Sequence, residues 1–197
     1  LRIRQIDKHS WIAAKGPSRQ AGPGVLERAE IEVAWSPEAF DKLSNLLALH
    51  GLFISGLQER RISEDPLEVL RDAGLTVIQK RQTVRTVRHV RSTEKDLVLA
   101  ELALDRVIYH FQSRTLLHYE IEIEFKSKEA HLAAQFLTQY LVGLFPNELR
   151  KWRYGKLATG RAIEALVGEQ SFEEALSDDY LKPASYVLIE KYLDARA

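Results

Sequence analysis

The chain has 197 residues, 45% of them hydrophobic, and its 28 Lys and Arg balance its 28 Asp and Glu. Such a length buries a full core as one domain or as one domain with an appendage. Zero net charge gives no pull toward a nucleic-acid duplex or a membrane, and no apolar run reaches membrane-spanning length, so any electrostatic function must come from local segregation of the two signs. The absence of Cys excludes disulfides and thiolate metal sites and fits a cytoplasmic protein.

Leu1-Arg-Ile-Arg4 alternates apolar and cationic residues, which places Arg2 and Arg4 on one face of a predicted strand. A turn at Asp7-Lys8-His9 leads to a strand, Trp11-Ile-Ala-Ala-Lys15, that stops at the breaker Gly16-Pro17. Residues 18–24, rich in Gly, Pro and Ser, predict a loop. Arg28-Ala-Glu-Ile-Glu-Val33 alternates again, with Arg28, Glu30 and Glu32 facing one way and Ala29, Ile31 and Val33 the other. Ser36-Pro37-Glu38 is a helix start, with Ser as N-cap and Pro at the first helical position. Phe40, Leu43, Leu46 and Leu47 then recur at helical spacing up to Gly51. Asp65-Pro66 opens a second short helix, closed by Gly74. Residues 75–90 are β-rich and basic, and residues 96–107 predict a strand with Glu101 and Asp105 on one face beside Ala103.

The stretch Tyr119-Glu-Ile-Glu-Ile-Glu-Phe-Lys126 directs Glu120, Glu122, Glu124 and Lys126 to one side of a strand and Ile121, Ile123 and Phe125 to the other. Neighbouring like charges on one face cost a few tenths to about 1 kcal/mol per pair. The row must therefore face water, cations or metal ions. From Ser127 the period turns helical, with Ala130, Ala133, Ala134, Leu137, Tyr140 and Leu141 as an apolar stripe that Pro146 ends. Residues 149–167 predict a further helix carrying Lys151, Arg153 and Lys156, and residues 172–197 a polar helical tail broken near Lys182-Pro183. The order of strands, helix, strands, helix predicts an α+β fold with a largely antiparallel sheet over 1–167 and a helical tail over 168–197.

Two readings of the charged strand faces stand side by side. In one, an open sheet packs its apolar face on helices and turns its charges to water. In the other, the sheet closes with the charges inward, around a lumen large enough for one small ligand. Arg and Lys there would grip phosphate oxygens, and clustered carboxylates would hold hard divalent ions. Among other candidates, Trp11, Trp35 and Trp152 read as core or rim packing. His110 and His118 read as surface residues flanking a loop, and Arg85, Arg88 and Arg91, which change face at a spacing of three, as a solvated edge.

The ordered set of these segments resembles the CYTH superfamily, the triphosphate tunnel metalloenzymes. Leu1-Arg-Ile-Arg4 looks like its LRxR strand, Trp11 to Pro17 like its strand ending in K-G-P, and Arg28-Ala-Glu-Ile-Glu32 like its R-x-E-x-E strand. Lys80-Arg81 falls where the family has a basic strand, Leu104-Asp105-Arg106-Val107 is similar to its Leu-Asp strand, and Glu120 to Glu124 to its late glutamate strand. Lys156 with Gly160 is similar to its S-K-x-x-x-G segment, with Gly155 in place of Ser. Glu122-Ile-Glu-Phe-Lys126 spells the family's E-x-E-x-K motif, but at the late position, so the first family strand is expected upstream of Leu1.

The resemblance implies an antiparallel β-barrel tunnel with helices packed outside, and divalent-metal-dependent hydrolysis of a small triphosphate. Non-catalytic polyphosphate or nucleotide binding and class IV adenylyl cyclase activity are the alternatives. It implies Arg2, Arg4, Lys15, Arg28 and Arg81 as phosphate ligands, and Glu30, Glu32, Asp105, Glu120, Glu122 and Glu124 as ligands of Mg2+ or Mn2+. Glu122 and Lys156 are the implied catalytic residues. A monomer or homodimer is expected.

Overall fold

A computed structural model describes residues 1–16, 19–22, 25–27, 30–49, 51–53, 65–93, 97–125 and 130–196, with the backbone alone at 19–22, 25–27 and 30. The chain divides into two compact units, Leu1–Val77 and Ile78–Ala197. It is α+β, and its main strand pairings are antiparallel. Among the described residues no helix is long and apolar enough to cross a membrane.

In the first unit β1 (Arg2–Ile6), β2 (His9–Lys15) and β5 (Glu30–Ala34) form a three-stranded sheet in the order β1-β2-β5. The turn between β1 and β2 holds Asp7 at a φ of 52°, a left-handed conformation that Asp adopts more readily than most residues. A separate hairpin, β3 (Arg19–Gly22) and β4 (Val25–Glu27), occupies much of the segment expected to be loop. The cross-strand row Ile3, Ile12, Val33 lies on one face of the sheet. That face packs with α1 (Pro37–Leu49) and α2 (Pro66–Asp72) in a core of Ile12, Ala14, Phe40, Leu43, Val69 and Leu70. Both helices begin where their caps predict. Ser36 Oγ accepts from the Ala39 amide at 3.1 Å, and an Asp65 carboxylate oxygen accepts from the Leu67 amide at 2.9 Å.

In the second unit β6 (Lys80–Arg91), β7 (Val98–His110) and β8 (Thr115–Phe125) form a long antiparallel meander. The short β10 (Tyr180–Leu181) joins the β8 edge in parallel and pairs with β9 (Leu176–Ser177). Three helices follow α3 (His131–Leu144): α4 (Lys156–Leu166), α5 (Gln170–Glu174) and α6 (Pro183–Asp194). The predicted helix over 149–167 begins only at Lys156. Trp152 in its lead-in donates its indole N–H to Thr159 Oγ1 at 3.0 Å, which folds that segment back on the helix. Residues 168–197, read from the sequence as a polar tail, place Phe172 and Ile189 fully inside a core with Val107, Tyr109, Leu116 and Ile163.

Candidate functional site

Register decides what each sheet face carries. In the first unit Arg2, Ala13 and Glu32 lie in one cross-strand row, and Arg4 lies opposite Trp11 on the same face. Ala13 is small enough for Arg2 to reach over it. Arg2 Nη2 sits 2.7 Å from Glu32 Oε2, and Arg4 Nη1 2.9 Å from the other oxygen, Oε1. Lys15 lies on this face too, exposed at the end of β2 and opposite Glu30 in register. The Arg28 and Lys126 positions, and the side chain of Glu30, lie outside the described residues.

In the second unit the odd-numbered residues of β6 and β7 and the even-numbered residues of β8 share a face, because Arg85 pairs with Asp105 and Asp105 with Glu120. One end of that face is apolar and covered, with Val107, Tyr109 and Leu116 fully buried. Where the cover stops, Asp105, Glu120 and Glu122 converge. Each offers an oxygen within 4.8 Å of the others. Glu124 continues the row but is exposed, opposite Glu101.

Two cations hold the cluster. Arg85 makes a two-pronged contact with Asp105, Nε to Oδ1 and Nη2 to Oδ2, both at 2.7 Å, and also pairs with Glu122. Lys156 Nζ lies 2.9 Å from Asp105 Oδ2 and 2.7 Å from Glu122 Oε1, and pairs with Glu120 Oε1. Burial pushes the Asp105 carboxyl up, but the hydrogen bonds and charges of Arg85 and Lys156 outweigh it and leave it below its ordinary value. For Lys156 the balance reverses. Burial lowers its pKa and the carboxylates recover only part of the loss. Arg85 is raised, chiefly by its hydrogen bond to Asp105 and against burial.

The spacing Lys156 to Gly160 has a physical reason. Both residues lie on one side of α4, one turn apart. A Cβ at Gly160 would sit 2.2 Å from Gln79 Nε2 and 2.6 Å from the Tyr109 ring, so only glycine lets the helix lie this close to β7. Tyr109 donates its hydroxyl to the Lys156 carbonyl at 2.9 Å, and Gln79 Nε2 donates to the Leu157 carbonyl at 3.2 Å. The helix start is thereby pinned with its lysine over the carboxylates. Arg81, on the same sheet face, donates to Gln79 Oε1 at 2.6 Å.

Arg85 is exposed on the edge strand β6, as expected, yet it also reaches the cluster: it stands four residues from Arg81, which on a strand is the same face, and that spacing was readable in the sequence. One expectation changes. His118 is no surface residue. It lies inside β8 at 2% exposure, with Nε2 2.9 Å from Glu120 Oε2 and Nδ1 2.9 Å from the Tyr186 hydroxyl. The two-residue alternation linking His118 to Glu120, Glu122 and Glu124 was its signal. Tyr186 had none, since only folding brings α6 to β8.

The carboxylate set fits one hard divalent cation in kind and size. All donors are carboxylate oxygens, and an ion with ligands at ~2.1–2.4 Å spans roughly 4–5 Å between opposite ligands.

No curated protein and no solved structure matches the chain. The family model for the CYTH domain matches residues 1–146, which include β1 with Arg2 and Arg4, β5 with Glu32, and β6 to β8 with the acidic cluster, while Lys156 lies beyond the match. The strands that carry the paired acids and bases are thus the strands the family model covers, and the chain belongs to the CYTH domain family.

Proposed function

We propose that this protein hydrolyses a small triphosphate (inorganic triphosphate, thiamine triphosphate or a nucleoside triphosphate) with the help of Mg2+ or Mn2+. The observation that carries the reading is the convergence of Asp105, Glu120 and Glu122 to within 4.8 Å beneath Lys156 and Arg85, on strands of a CYTH domain. Arg81, Arg85 and Lys156 roughly offset the three carboxylates, so this face alone offers a polyanion little net attraction. Asp105, Glu120 and Glu122 would hold a divalent cation that would supply the missing positive charge, polarise the phosphoryl oxygens and make an attacking water more acidic.

Asp105, Glu120 and Glu122 hold the cation in this proposal, with Glu30, Glu32 and Glu124 as the further metal ligands the family resemblance implies. Arg81, with Arg2, Arg4, Lys15 and Arg28, binds phosphate oxygens. Lys156 exchanges carboxylate contacts for the terminal phosphate and steadies the charge that develops there. The closed β-tunnel that the family resemblance implies is part of the same proposal.

Incubation of the protein with inorganic triphosphate, thiamine triphosphate and ATP, with and without Mg2+ or Mn2+, tests the reading. Metal-dependent phosphate release supports it. Pyrophosphate with cyclic AMP from ATP makes the protein a cyclase, and a thermal shift without any product makes it a binding module. Either result overturns hydrolysis.

A further inference from the structure

The acidic cluster is backed by a pair of groups that the reaction above does not use. Glu120 turns Oε1 to Lys156 and Oε2 to the His118 ring, 2.9 Å away, and the other ring nitrogen meets the Tyr186 hydroxyl at 2.9 Å. His118 is 2% exposed, so neither nitrogen exchanges freely with water. A carboxylate can only accept, hence Nε2 bears a hydrogen and donates it to Glu120, while the Tyr186 hydroxyl holds the ring from its other nitrogen.

The contacts thus run from Tyr186 through the His118 ring to Glu120. Tyr186 sits on α6 and is braced edge-on by Trp152, with ring centroids 5.7 Å apart. Both aromatic residues lie beyond the segment the family model matches.

We propose that Tyr186 and His118 are positioning residues, a hydrogen-bond relay from α6 that sets the plane of the Glu120 carboxylate for divalent-cation binding. The relay rests on the metal-dependent reading of the same cluster. Without it Glu120 can rotate toward Lys156 and present its oxygens to the ammonium instead of to the cation. Groups that orient a metal ligand from behind change metal affinity or activity by roughly 10–100-fold when removed.

The test titrates the full chain with Mn2+ alone, by calorimetry, and then measures triphosphate turnover against Mn2+ concentration. Tyr186→Phe keeps the ring and loses only the hydroxyl. It is expected to weaken Mn2+ binding about 10-fold, with the KM for triphosphate at saturating Mn2+ and the melting temperature of the metal-free protein nearly unchanged. His118→Gln, whose amide N–H can replace Nε2–H, is expected to stay close to the wild type, whereas His118→Leu loses Mn2+ affinity. This second pair decides the matter if Tyr186→Phe does not fold. A folded Tyr186→Phe with wild-type Mn2+ affinity overturns the relay, as does equal behaviour of the Gln and Leu variants. Mn2+ binding that weakens in the variants of a protein that hydrolyses no triphosphate upholds the relay and sinks only the hydrolase reading. A wild type that binds no Mn2+ overturns both.

Discussion

The two units pair acids with bases on a sheet face in opposite proportions. In the first, one carboxylate, Glu32, is shared by Arg2 and Arg4, and Lys15 adds a further cation to the same face. In the second, Asp105, Glu120 and Glu122 share Arg85 and Lys156. A pair of guanidiniums suits phosphate oxygens; a cluster of three carboxylates suits a hard metal ion. The difference also lies in depth. The Glu32 side chain is 26% exposed and that of Asp105 is 0%, so the contacts of Asp105 are less screened by water, whereas Glu122, at 37%, lies open to it.

The sharpest way to break the comparison is to remove one charge of each sign from the buried cluster. Glu122→Ala is expected to abolish detectable turnover and to weaken Mn2+ binding. Lys156→Ala is expected to lower kcat about 100–1,000-fold, yet to leave Mn2+ binding as tight as before or tighter, because the ammonium and the cation compete for the same three carboxylates. Calorimetry alongside phosphate release separates the two, and parallel loss of Mn2+ binding in both variants refutes the competition.

Chelation comes next. EDTA is expected to halt turnover while the protein stays folded, since Lys156 and Arg85 already hold the carboxylates together without a metal. Circular dichroism with and without EDTA checks the fold, and added Mg2+ or Mn2+ should restore activity. Unfolding on chelation would mean that the two cations do not suffice.

On the first unit, Arg4→Ala is expected to raise the KM for triphosphate about 10-fold, the worth of one charge-assisted hydrogen bond of ~1.5 kcal/mol. Mn2+ affinity should move far less than on loss of Glu122, because Glu32 keeps its Arg2 partner. A shift in metal affinity with KM unchanged would reverse the roles assigned to the two faces.

The smallest expected effect is Gly160→Ala. Crowding against the Tyr109 ring costs ~1–3 kcal/mol, partly offset by about 1 kcal/mol from alanine's better helix propensity. The net loss in a urea melt should be modest, and turnover should fall more than stability because Lys156 is displaced. An unchanged kcat would show that α4 tolerates the shift.

How much of this was legible in the sequence follows from the range over which each feature is decided. A two-residue period alone fixes which side chains share a strand face, and so it brought together Arg2 with Arg4, and Glu120 with Glu122 and Glu124. Local capping chemistry likewise marked the starts of α1 and α2 at Ser36 and Asp65. Two features were within reach of the same rule: Arg85 shares a face with Arg81, and His118 with Glu120.

Other features depend on which chain segments meet, and no period encodes that. The register of β6, β7 and β8 sets Asp105 between Arg85 and Glu120, and a slip of one residue would have sent Asp105 to the other face. Only the packing of α4 against Tyr109, through the gap left by Gly160, delivers Lys156 to the carboxylates. The docking of α6, with Ile189 fully buried, turned a segment of polar composition into part of the core and brought Tyr186 to His118. Sequence thus determined the charge carried by each strand face, because that is set by the local backbone. Tertiary structure decided which charges meet and how deeply they lie, because those depend on packing between residues far apart in the chain.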